Sequence, residues 1–186
     1  MPMPSLQLDL PAWLDAEIDP IRIHADDESK VELAIRLARR NIEHGSGGPF
    51  GAVVFDAEGR VVAAGVNRVL PWTCSIAHAE ILAFIAAQAR LGRHRLNEDG
   101  GRYVLATSAQ PCCQCYGASV WAGIDELLIG ARAEDVMELS EFDEGPLPAD
   151  WIGELGKRGI AVRRDILRDE ARDVFALYAA RGGLAY

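Results

Sequence analysis

Apolar residues recur at Val31, Ala34, Ile35, Ala38 and Ile42, the spacing of one helical face. The pattern stops at Gly45-Ser46-Gly47-Gly48-Pro49. Ser29 to Glu32 has capping-box spacing, although Asp26 or Asp27 could equally cap the first turn. Two β-rich runs follow, "GAVVFD" (51–56) and "RVVAAGVN" (60–67), and the short Ala57-Glu58-Gly59 link predicts a hairpin. Residues 78–91 are apolar almost all round, which predicts a helix buried on most sides. A strand is predicted at 102–108, a second buried helix at 112–122 and another strand at 126–131. The acidic segment 132–149, with Gly145, Pro146 and Pro148, is expected to be a surface loop. Residues 159–166 then suggest a fifth strand and 168–181 a last helix. This order suggests a mixed sheet covered by helices on both faces.

The length of 186 residues fits one domain spanning 1–186, with 1–27 as a lead-in and 182–186 as a tail. The chain carries 19 basic and 28 acidic residues, a net charge of −9, and has no Lys/Arg-rich run. Such a balance argues against a nucleic-acid partner, since affinity for phosphates rests on basic side chains. The N-terminal stretch lacks the charged-then-apolar pattern of a signal peptide, and no apolar run is long enough for a membrane span. The expected compartment is the cytoplasm, where thiols stay reduced.

That expectation bears on "PCCQC", which holds three of the four cysteines at Cys112, Cys113 and Cys115. A disulfide between neighbours would strain the peptide joining them. A Cys-x-x-Cys alone could be a redox pair or half of a structural zinc site. Upstream, however, lies His78-Ala79-Glu80, and the two segments together match the H-x-E…P-C-x-x-C pattern of zinc deaminases. Cys112 and Cys115 lie one turn apart at a helix start, where free N–H groups and the dipole favour thiolates. His78 supplies a third ligand, and one zinc per chain would keep its fourth position open, the arrangement of a catalytic site. Zinc lowers the pKa of water held there. Glu80, two residues from His78, is then expected to move protons rather than bind metal. Cys113 points to another side of the helix. A four-ligand structural site using Cys74 or His44 is the alternative.

On these residues the chain resembles the cytidine-deaminase-fold superfamily over roughly 28–181. "GGPFGAVVFDAEG" (47–59), "GVN" (65–67), "AHAE" (77–80), "PCxxCYGA" (111–118) and "VWA" (120–122) are most similar to its bacterial guanine deaminases. The resemblance implies a three-layer α-β-α fold around a mixed five-stranded sheet, and hydrolytic release of ammonia from an aminated ring. It implies substrate contacts at Asn67, Phe50, Ala79, Phe142 and Asp143, with Glu144 as a second acid. It also implies a homodimer whose C-terminal segment, ending in Tyr186, helps close the partner's site. Two departures stand out. Cys74-Ser75-Ile76 replaces a usual Asp-Pro-Thr, and Gln110 occupies a position that is often acidic.

The leading expectation is deamination of free guanine to xanthine. A tRNA adenosine deaminase, or a deaminase of cytosine or of another aminated ring such as a triazine, is the enzymatic alternative. A structural zinc fold or a thiol redox module is the non-enzymatic one.

Overall fold

The computed structural model describes residues 9–186, so residues 1–8 of the expected lead-in lie outside the described residues. The helices are α1 (Trp13–Glu17), α2 (Asp27–Glu43), α3 (Val69–Trp72), α4 (Ala79–Leu91), α5 (Cys113–Ala122), α6 (Ala133–Leu139), α7 (Trp151–Gly156) and α8 (Arg168–Ala180). The strands are β1 (Gly51–Phe55), β2 (Val61–Val66), β3 (Val104–Ala109), β4 (Glu126–Ala131) and β5 (Ala161–Arg163). They form one sheet in the order β2-β1-β3-β4-β5. β1 pairs antiparallel with both β2 and β3, whereas β3, β4 and β5 run parallel. The expected mixed sheet and its hairpin are therefore present.

Side-chain alternation divides the core in two. Val53 and Phe55 of β1 join the cluster under α2 and α8, while Ala52 and Val54 join the one under α4. Burial on both faces explains why these strands read as continuous apolar runs. Gly65 shows how tightly α4 sits on β2: a Cβ at this position would strike the Ala79 carbonyl and the Ala83 amide. This close approach places the start of α4, with its HAE motif, against the sheet.

Several expectations are corrected locally. Of the candidate caps, Asp26 is the one that caps α2, its side chain accepting from the Ser29 N–H at 2.6 Å. His78 and Cys112 are N-cap residues, so their helices begin one position later than expected. β5 is limited to Ala161–Arg163, and the left-handed backbone at Asp165 and Leu167 turns the chain away into α8.

The largest correction is α6, inside the segment expected to be a loop. Ala133 and Val136 are buried there, and Asp135 carries the ionic hub of this corner. Asp135 accepts from the Arg132 N–H at 2.8 Å, from Arg168 at 2.7 and 2.8 Å, and from Arg172. The Arg168 guanidinium is the main cause that holds its carboxyl well below the usual range. Asp135→Asn is expected to destabilise the fold by about 3 kcal/mol, because two guanidiniums lose a buried partner. A depressed native pKa gives stability that is complete above the unfolded carboxyl range near ~4 and lost as pH falls towards the native value. Denaturant titrations at pH 7 and at low pH should therefore converge for wild type and variant as acid protonates Asp135.

The sheet has two edges. β5 is short and bordered by Arg163 and Arg164. β2 is longer, and Leu10, Leu14, Ile18 and Pro20 of the lead-in share a groove with it. Arg90 of α4 donates to the Val62 carbonyl at 2.8 Å, and the His24 N–H donates to Gly59 at 2.8 Å.

Candidate active site

The two motifs meet at the ends of two helices. His78 precedes α4 and Cys112 precedes α5, so each helix presents its N-terminus to the same point. His78 Nδ1 lies 3.5 Å from Cys112 Sγ and 3.6 Å from Cys115 Sγ. All three ligand atoms fall within 4.8 Å of one another, and this is the only such metal-binding group among the described residues. Ligands held about 2.0–2.3 Å from a tetrahedral zinc stand roughly 3.5 Å apart, so the nitrogen and two sulfurs fit that ion. The alternative ligands lie elsewhere: His44 stacks on Trp13, and Cys74 belongs to no such group. All four cysteines are free.

Cys115 is fully buried, whereas Cys113 is exposed with its thiol packed towards Gly145. The Cys113 N–H donates to the Glu144 carbonyl at 2.9 Å, which ties the 142–145 segment to the start of α5. Hydrogen bonding from Cys115 is the main cause that lowers the Cys112 thiol to about 4, while Cys115 shifts up as its partner. Zinc ligation completes what this arrangement begins, since it favours thiolate at both positions.

Phe50, His78, Glu80, Gln110, Cys112, Phe142, Asp143, Glu144 and Tyr186 line a cavity of about 40 Å³. Burial pushes Glu80 up to about 7. Burial, with the negative charge of Cys112 and Glu80, pushes Glu144 up to about 8. Asp143 instead turns one oxygen back to the Gly145 N–H at 2.9 Å. Phe142 packs edge-on to Phe50 at 5.2 Å and to Tyr186 at 4.9 Å. Tyr186 covers the cavity of its own chain, and a Cβ on Gly48 would strike its hydroxyl. Tyr178 Oη donates to the Leu184 carbonyl at 2.8 Å and so fastens the tail.

Asn67 and Ala79 do not line this cavity. Ala79 is fully buried between α4 and β2. Asn67 lies beside Gly48, its Oδ1 accepting from the Val69 N–H at 3.2 Å. Sequence reasoning missed Asn41, which is fully buried in α2. Its Nδ2 donates to the Gly48 and Asn67 carbonyls, both at 2.9 Å, and joins the two loops around the site. A polar residue on an otherwise apolar helical face was the available signal.

Two helix N-termini aimed at a His-Cys-Cys triad beside a buried glutamate define a zinc-dependent deaminase, a hydrolase of C–N bonds. Residues 24–131 match the cytidine and deoxycytidylate deaminase zinc-binding region, and the chain belongs to that family. Within it, the chain is 35% identical to a guanine deaminase of Bacillus subtilis (strain 168) over 117 residues, 63% of this chain and 71% of the relative. The solved structure of guanine deaminase from Nitrosomonas europaea is 43% identical, with a TM-score of 0.89 over 95% of this chain and 97% of the other. A tRNA-specific adenosine deaminase of Buchnera aphidicola subsp. Schizaphis graminum is 27% identical over 81% of this chain and 91% of its own. No helix among the described residues is long and apolar enough to cross a membrane.

Proposed function

We propose that the chain deaminates free guanine to xanthine, with water consumed and ammonia released. The observation that carries this reading is the pairing of Glu80 and Glu144, two buried carboxyls in one cavity with His78 and Cys112. His78, Cys112 and Cys115 hold zinc, which supplies a Lewis acid and lowers the pKa of nearby water. Glu80, near 7, takes up and gives back a proton at neutral pH. Burial favours the protonated form of Glu144, which suits it to give a proton to the leaving amine. Phe142 and Phe50 flank the ring, and Tyr186 shuts out water. Asp143 borders the same space, and Asn67, beside Gly48, is the expected amide contact to the base.

Tyr186 packs on Phe142 at the cavity that holds Glu80 and Glu144, and lifting of the tail widens the way in for an aminated ring. The net charge of −9 favours a free base over a tRNA adenosine. The same reading places the enzyme in the cytoplasm as a homodimer. Its interface is the outer face of α4 and α5, where Ile85 and Trp121 stand exposed. The tail, fastened through Tyr178 and packed on Phe142 by Tyr186, closes a site of the dimer. An ammonia-release panel of guanine, guanosine, adenine, cytosine, cytidine and an aminotriazine tests the substrate. Guanine is expected to dominate, and a response confined to nucleosides would remove the free-base reading.

A further inference from the structure

Gln110 lines the cavity and is 94% buried (6% exposed), yet its Oε1 has no hydrogen-bond partner among the described residues. Its backbone N–H is spent on the Ala131 carbonyl at 2.8 Å, which fixes this residue at the mouth of the parallel strands β3 and β4. Folding strips water from a buried acceptor, and native proteins retain such a group where a ligand or ordered water completes it. The other polar side chains facing this space divide by chemistry. Glu80 and Glu144 handle protons, Asp143 is turned to Gly145, and His78 and Cys112 belong to the metal triad. Gln110 is the neutral amide among them.

A carboxamide offers an acceptor and a donor side by side in one plane. The complementary surface is a cyclic lactam, where a ring N–H sits beside a carbonyl. A carboxylate of the same shape would accept from the N–H but meet the carbonyl with a second acceptor.

We propose that Gln110 is a substrate-contacting, specificity-determining residue that reads the lactam edge of an oxo-substituted ring, Oε1 accepting from the ring N–H and Nε2 donating to the carbonyl. This deepens the guanine reading and rests on it for the identity of the ring. It assigns Gln110 no proton transfer. An analogue without the lactam leaves a buried polar group unpaired, which is how hydrogen-bonding sites reject ligands of nearly the same shape.

The test uses ligands without an amine to lose, so it does not depend on turnover. Zinc-loaded protein is titrated calorimetrically with hypoxanthine, which carries the lactam, and with purine, which lacks it. Wild type is expected to favour hypoxanthine by about tenfold or more, and Gln110→Met to erase that preference with little change in purine affinity. Gln110→Glu, which preserves side-chain shape, should also weaken hypoxanthine selectively. Zinc content and thermal midpoint are measured on each variant, and selectivity is compared on the variant that retains both. Equal binding of the two ligands by wild type, or a parallel loss of both in the variants, overturns the proposal. Failure of the guanine reading appears separately, as no ammonia from guanine with wild-type enzyme whatever the hypoxanthine preference.

Discussion

Glu80→Gln is expected to lower turnover by roughly 10²–10⁴-fold while zinc remains bound. Glutamine keeps the shape of a side chain that is 7% exposed, so the start of α4 and the position of His78 should persist. What is lost is the proton. Glu80 sits in the same cavity as His78 and Cys112, and burial holds its carboxyl near 7, where either protonation state is within easy reach. An amide cannot exchange that proton at any accessible pH. The measurement is kcat for ammonia release, with zinc quantified on the same preparation. Turnover near wild type with zinc present would remove Glu80 from the proton path.

Cys115→Ala is expected to cost the zinc itself, and with it all measurable activity. Cys115 is fully buried, and its sulfur lies 3.6 Å from His78 Nδ1. Removing a group that merely orients a metal ligand already weakens binding by roughly 10–100-fold, and removing a ligand should exceed that. The informative control is Cys113→Ala. Cys113 lies between the two ligands in sequence, but it is exposed and lies outside the triad. Zinc analysis after dialysis should find the metal lost from Cys115→Ala and retained by Cys113→Ala. Equal retention by both would refute the three-ligand assignment. Thermal unfolding should fall more for Cys115→Ala, because binding to the native state stabilises it by mass action.

The metal triad was legible because two short spacings each place side chains at a helix start, and only their combination has chemical meaning. Strands β1 to β4 were legible because they are buried on both faces and so interrupt the helical periodicity sharply. α6 was not. It is seven residues long, it starts after Arg132 rather than a capping Ser, Thr, Asp or Asn, and its acids resemble a solvated loop. Asp135 looks like one acid among several until Arg168 and Arg172 arrive from α8, more than thirty residues later. Asn41 and Gln110 share this difficulty. One joins loops distant in sequence, and the other acquires meaning only when β3, α4 and the 142–145 segment converge on one cavity.

The β2 edge bears on how the molecule behaves in company. Its sequence, Val-Val-Ala-Ala-Gly-Val, is uncharged and rich in β-formers, the composition that lets one sheet recruit another chain's strand. The lead-in shares the groove along this edge, and Arg90 occupies the Val62 carbonyl. None of these residues lines the cavity that holds His78, Glu80 and Cys112. Their contribution is colloidal: they keep a sticky ribbon from templating aggregation, so that a short, catalytically idle stretch of chain protects the solubility on which the catalyst depends.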